Sequence, residues 1–286
     1  MAKTRDIKRR IRSIGSTMQL TRAMKMVSAA KLRRAQDRIL QARPYAVRMR
    51  EVLRSLASRA NPRAHPLLRV RGDRRVELVV VAADKGLCGS FNTNIFKTAT
   101  GFLEARKQDR ELTVHVVGKK TRDYFRRRKY AVHREWTDVF RDLDYPLAAD
   151  IGRDLMDRYI GEELDAIYLV YNEFKSAIQQ RPVVEKLLPV ERLDLRPDEV
   201  TEDYIYEPDA AALFADILPR YVEIEVFRAL LESAAAEHAA RMTAMESATN
   251  NAAELIDALT LYMNRVRQAS ITTEIIEVVS GAEALG

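Results

Sequence analysis

IRSIGSTMQLTRAMKMV, residues Ile11 to Val27, decides how the chain begins, because its apolar residues recur at a spacing that only a long helix can use. Stepping alternately by four and three from Ile7 lands on Ile11, Ile14, Met18, Thr21, Lys25, Ser28, Leu32, Ala35 and Ile39. The steps then continue through Ala42, Ala46, Met49 and Leu53 to Leu56. Of these fifteen positions only Thr21, Lys25 and Ser28 are polar. A repeat of 3.5 residues held this long predicts a coiled-coil seam rather than an ordinary amphipathic helix. Pro44 removes one backbone donor and crowds the preceding turn, so a kink without termination is expected there.

The other end of the chain repeats the pattern. From Ala210 the same steps give Leu213, Ile217, Arg220, Ile224, Phe227, Leu231, Ala234, His238, Arg241, Met245, Ala248 and Ala252. They run on through Leu255, Leu259, Tyr262 and Val266 to Ile276. Pro208 suits a first helical position, Asp209 suits the positive end of the helix dipole, and Ser280-Gly281 reads as a stop. At 1.5 Å per residue the two helices extend roughly 85 and 105 Å, well beyond the roughly 30–40 Å of a compact domain. Neither is stable at that length unless its stripe is buried, and each offers the other a matching one. The first runs into the middle of the chain and the second out of it, so the pair is antiparallel. Setting Leu56 level with Leu213 brings Lys25 level with Met245 and Ser28 level with Arg241. The second helix is about 15 residues longer, so its end, 266–286, is expected to stand alone with Ile271, Ile275, Ile276, Val278 and Val279 uncovered.

Between the helices the period changes. Val76–Ala82, Leu112–Val117, Ala166–Tyr171 and Pro182–Leu188 read as strands, with helices at about 91–107, 119–128 and 147–160. That alternation predicts a Rossmann-like, mostly parallel sheet with flanking helices. The expected fold class is therefore α/β: a long antiparallel coiled coil from both termini plus a central α/β domain. The expected segments are 1–60, 61–205 and 206–286.

The 286 residues carry a net charge of +7, unevenly spread. Residues 1–60 hold 17 Lys and Arg against 3 Asp and Glu, whereas 206–286 hold 5 against 13. Such polarity between chain ends concerns pairing and partners. The basic N-terminus lacks a following apolar stretch and reads as the start of the helix, not as a secretory signal. No run of 18 apolar residues is present, so no membrane-spanning helix is expected. The single cysteine, Cys88, excludes a disulfide within the chain and any cysteine-rich zinc site.

Signals for catalysis are thin. The loop Asp84-Lys-Gly-Leu-Cys-Gly-Ser90 follows a strand, but it matches neither glycine-rich phosphate-binding spacing, and a turn that needs small residues explains it better. His65, His115, His133 and His238 are scattered, without metal-ligand spacing. The reading is of a chain with no cofactor, no metal and no active site of its own. A basic coiled-coil protein that binds nucleic acid or acts as a scaffold is the alternative, its nucleic-acid form weakened by the scarcity of aromatics and by the acidic second helix.

At this point the motifs resemble a known family. Ile11 to Val27, Asp84 to Gly89, Ala240 to Met245 with Ala248-Thr-Asn250, and Arg267 to Thr272 with Glu274 resemble the gamma subunits of F-type ATP synthases. The resemblance spans essentially the whole chain and implies a rotor. The coiled coil would turn inside a ring of alternating alpha and beta subunits, the latter bearing the catalytic sites. The rest would engage the epsilon subunit and the membrane ring of c subunits, on the cytoplasmic face of a bacterial inner membrane. Carried over by motif, Met24, Lys25, Arg241, Gln268, Thr272 and Glu274 face the beta subunits, whose acidic loops suit the basic helix, and Tyr204 and Glu207 lie near the c ring. On this reading Thr21, Lys25 and Ser28 are candidates for contact with the ring, the equal alternative being a tolerated polar layer within the seam.

Overall fold

The computed structural model describes residues 2–59, 65–190 and 210–283. Helix α1 (Ala2–Arg59) has 58 residues and runs through Pro44, and helix α5 (Ala210–Glu283) has 74 and runs through Pro219. The expected start at Pro208 lies outside the described residues. The expected stop at Ser280-Gly281 is corrected, since α5 continues to Glu283. A glycine ends a helix when it turns left-handed; kept right-handed, it costs only about 1 kcal/mol relative to alanine.

The chain divides into two compact units, Met1–Ser28 with Arg241–Gly286, and Ala29–Ala240. Both long helices contribute to each. No helix among the described residues is long and apolar enough to cross a membrane.

The larger unit is built on a five-stranded sheet ordered β3-β2-β1-β4-β5. Its strands are β1 (Arg75–Val81), β2 (Glu111–Val117), β3 (Val132–Trp136), β4 (Ala166–Phe174) and β5 (Gln180–Leu188). The first four are mutually parallel and β5 returns antiparallel to β4. Helices α2 (Phe91–Glu104), α3 (Lys119–Arg127) and α4 (Tyr145–Ile160) make the crossovers. Both faces are buried, which is why β1 reads from Leu78 to Val81 as an apolar run rather than an alternation. Val79 and Val81 face one core with Ile151 and Leu155 of α4, Met49 and Leu53 of α1, and Val222 and Leu230 of α5. Val76, Leu78 and Val80 face the other, with Ile95 and Phe96 of α2 and Phe125 of α3.

Strand β3 was not expected from the sequence. Its residues, VHREW, are half polar because it forms an edge, where charge discourages further strand pairing. The α1 seam buries as the 3.5 repeat requires. Leu32, Ala35, Met49 and Leu53 are buried, and the positions between them are half-buried. Pro219 cannot offer an N–H to the carbonyl four residues earlier, at Ala215. The imidazole of His65 hydrogen-bonds that residue's backbone instead, while its Nδ1 accepts the N–H of Leu67 at 3.2 Å.

Candidate functional site

The motifs that carry the resemblance concentrate in the smaller unit, where the two chain ends pair. Residues 1–28 supply eight Lys and Arg against one Asp, so this stretch of α1 is strongly cationic. Two polar contacts set the pairing. Thr21 Oγ1 and Thr249 Oγ1 lie 2.7 Å apart, and Lys25 Nζ reaches Glu246 Oε1 at 2.6 Å. The numbers ascend on one helix and descend on the other, so the pair is antiparallel. They sum to 270 and 271, within two residues of the register expected from the seam.

Thr21 is buried, and it also donates to or shares its hydroxyl with the Met18 carbonyl at 3.0 Å. Thr249 reaches the Met245 carbonyl at 2.7 Å. Ser28 is buried as well. Thr21 and Ser28 thus take the second of the two roles open to them, a polar layer inside the pair, where the Thr21 hydroxyl finds backbone and cross-helix partners. Lys25 remains partly exposed, its charge answered by Glu246.

Using a sum of 270, Ala2, the first residue of α1, falls level with residue 268. Beyond Gln268, α5 therefore has no α1 residue opposite it among the described residues. Ile271, Ile275, Ile276, Val278 and Val279 are all exposed there, Val278 by 72%. At 100° per residue, Gln268 and Thr272 share one face with Ile271, Ile275 and Val279, and Glu274 sits on the flank. The Thr272 hydroxyl is turned to the Gln268 carbonyl at 3.0 Å, and Ser270 Oγ donates to Glu274 at 3.3 Å.

The site residues read from sequence thus separate into two groups. Met24, Lys25 and Arg241 lie half-buried where the helices pair. Gln268, Thr272 and Glu274 are exposed on single helix, about 33 Å further along α5 from Glu246. Tyr204 and Glu207 lie outside the described residues. Sequence reasoning missed Glu246 and Thr249, although the antiparallel register pointed to that level of α5.

In the larger unit, the Asp84–Ser90 loop is held by its own side chains. The Asp84 carboxylate accepts the N–H groups of Lys119 and Asp138 at 2.9 and 3.0 Å, so α3 begins on an internal anion. Asn92 accepts from the Ala83 N–H at 3.0 Å and donates to Cys88 Sγ at 3.3 Å. Leu87 and Gly89 take positive φ, +62° and +55°, and Cys88 points inward. These features make a tight turn with a carboxylate at its mouth, which suits a structural corner better than a phosphate cradle.

Two antiparallel terminal helices, joined through a polar layer and ending in an exposed apolar stripe, define a helix-pair protein that also carries a doubly wound α/β unit. A family model described as ATP synthase matches residues 3–285. The chain belongs to the ATP synthase gamma-chain family. It is 47% identical over 285 residues to the ATP synthase gamma chain of Pelotomaculum thermopropionicum, covering 100% of both chains. It is 54% identical over 284 residues to that of Solibacter usitatus, covering 98% of each. Among solved structures it resembles a chain of the Tetrahymena thermophila mitochondrial ATP synthase central stalk and c-ring. That match has a TM-score of 0.62 and 26% identity, covering 80% of this chain and 99% of the other. A chain of the Euglena gracilis mitochondrial enzyme shares the fold with a TM-score of 0.69 at 19% identity, covering 99% and 95%.

Proposed function

We propose that the chain is the turning central stalk of a proton-driven ATP synthase and carries no catalytic site itself. Segments 1–60 and 206–286 act as the shaft, and 61–205 as the body that meets the epsilon subunit and the c ring. The complex sits on the cytoplasmic face of a bacterial inner membrane. The observation that carries this reading is the end of α5 past Gln268, whose apolar stripe is exposed among the described residues of its unit. An apolar stripe of that length is costly in water and calls for a partner's sleeve.

A pair of unlike helices presents different surfaces in different directions, so subunits arranged around it gain different contact free energies and settle into different conformations. Turning the shaft moves those preferences from one subunit to the next, coupling rotation to binding and release of nucleotide. Met24, Lys25 and Arg241 then serve as one contact level for the beta subunits, and Gln268, Thr272 and Glu274 as another. The cationic α1 favours acidic loops on those partners. Tyr204 and Glu207 are assigned to the c-ring side by resemblance alone.

Reconstitution with alpha and beta subunits tests the proposal. One copy of the chain should enter each hexamer, and deleting residues 266–286 should weaken its retention. A chain that stays out of the hexamer overturns the reading.

A further inference from the structure

Helix α3 and its cap carry more charge than their surroundings settle. Between Lys119 and Lys129 stand seven Lys and Arg and one Asp. Three of the seven have a carboxylate partner. Lys119 lies 2.7 Å from Asp138, Arg122 2.9 Å from Asp123, and Arg126 2.6 Å from Glu135. Lys120, Arg127, Arg128 and Lys129 are exposed and make no ion pair among the described residues. Asp123 is the acid beside them. Its carboxyl is held low first by the bond from Arg122 and then, from further away, by Lys120 and Arg127. With Arg122 already on it, Asp123 leaves most of that charge unanswered, and the negative end of the α3 dipole offsets only about half a charge more.

The unpaired cations form a row. At 100° per residue Lys120, Tyr124 and Arg127 fall within about 60° on one face of α3, with Lys120 and Arg127 roughly 10 Å apart along the axis. Arg128, the C-cap residue, continues that face. Its guanidinium carbon stands 3.7 Å from the centre of the Tyr124 ring, and that ring stacks at 4.2 Å on Phe96 of α2. A guanidinium seated on an aromatic face is held by the ring and keeps its N–H edge for an acceptor, the arrangement with which arginine grips phosphate. Lys129 follows at φ +57°, a left-handed conformation that glycine takes more cheaply, so a lysine is held there at a cost in backbone strain.

We propose that this face of α3 binds a linear oligophosphate, its linked phosphates running from Lys120 to Arg127 and Arg128. A single phosphate reaches one end of the row and leaves the other cations unanswered. The affinity order is therefore tripolyphosphate, then pyrophosphate, then phosphate, and binding weakens as salt rises.

Isothermal titration of the full chain at low salt with these three anions tests the proposal. Tripolyphosphate should saturate one strong site. Arg128→Lys keeps the charge but loses the planar fork on Tyr124, and should weaken tripolyphosphate about tenfold, the loss expected for one charge-assisted hydrogen bond. Lys120→Gln, at the far end of the row, should weaken it by a similar factor. Arg181→Gln removes an exposed charge on β5 and should change nothing. Absence of a saturable site, an unchanged Kd in Arg128→Lys, or an equal loss in Arg181→Gln overturns the proposal, because general attraction to a basic protein would then account for the binding. Phosphatidylglycerol vesicles, which present single phosphates in a plane, separate the two sources of phosphate. If they bind through Arg128 and tripolyphosphate does not displace them, the ligand is a lipid surface and the oligophosphate assignment falls.

Discussion

Acidification from pH 7.5 to 5.0 should destabilise the larger unit through one imidazole. His115 on β2 is fully buried. The indole N–H of Trp136 donates to its Nε2 at 2.6 Å, so Nε2 holds the lone pair and the proton sits on Nδ1, 3.8 Å from Asp154 Oδ2. Asp154 is too far for a full ion pair and is itself engaged by Arg134. Burial therefore wins over the attraction of Asp154, and the imidazole is pushed down to about 4. Unfolded, it titrates near about 6.5. The folded value is the lower one, so the unfolded chain takes up the proton first. The stabilisation is complete above about 6.5 and is lost as the pH falls toward 4. At about 1.36 kcal/mol per pH unit the full loss is about 3 kcal/mol, of which about 2 falls between pH 7.5 and 5.0.

Urea unfolding followed by tryptophan fluorescence measures this directly, because Trp136 is the only tryptophan in the chain and is also the donor to His115. His115→Gln retains an acceptor for the indole and cannot titrate, so its pH dependence records every other group. One of these is Glu77, whose carboxyl is raised by burial against Arg158 and therefore acts with the opposite sign. The stability difference between wild type and His115→Gln should move by about 2 kcal/mol against the wild type on acidification. A difference that stays constant with pH refutes the reasoning.

Gly118 has φ +98°, and a Cβ there would stand 2.0 Å from the Ala82 carbonyl oxygen. Gly118→Ala should lower the urea stability of the larger unit by at least about 3 kcal/mol, since neither backbone can yield without losing β1 or β2. His65→Ala strips the Ala215 carbonyl of its donor and should cost about 1–2 kcal/mol. That cost should shrink in a Pro219→Ala background, where the helix supplies its own N–H, and a double-mutant cycle reads the coupling. Thr21→Val should cost about 1 kcal/mol in the thermal stability of the paired termini. The double variant with Thr249→Val should recover much of that loss, because both hydroxyls are then gone together.

The helix pair was legible in the sequence because a 3.5-residue repeat is a local property that accumulates over fifty residues. Leu32, Ala35, Met49 and Leu53 bury where the repeat puts them. The parallel core was legible for a related reason: Leu78 to Val81 is apolar at both parities, which only a strand covered on both faces requires. Strand β3 escaped because five residues at an edge, three of them polar, carry no periodic signal, and hydrogen bonds to β2 alone define the strand. The roles of Thr21 and Ser28 were left open between two readings for a different reason. Their positions were already in the seam, while their polarity suited an outward task equally well. A hydroxyl short enough to bond the preceding turn sits inside a helix pair at little cost. Glu246 and Thr249 were missed because neither falls on the seam of α5; each reaches across from beside it.

The polar layer acquires a purpose from the composition around it. Along 241–252 two of the four α5 seam positions are alanine, Ala248 and Ala252, with Ala244 beside them. Alanines permit close approach but bury nearly the same small area in any register, so apolar burial alone discriminates weakly against a slip by one turn. Thr21–Thr249 and Lys25–Glu246 are each worth only about 1 kcal/mol or less, yet a slip forfeits both and strands a hydroxyl in the seam. Small polar terms therefore choose the register, while larger apolar terms hold the helices together. The same division fixes which part of α5 the described residues of α1 cover, since the register sets Ala2 level with Gln268. A shaft that slipped by one turn would displace its exposed stripe by about 5 Å, the rise of a single turn. Fixing register at Thr21 and Lys25 is thus also what fixes the position of the surface beyond Gln268.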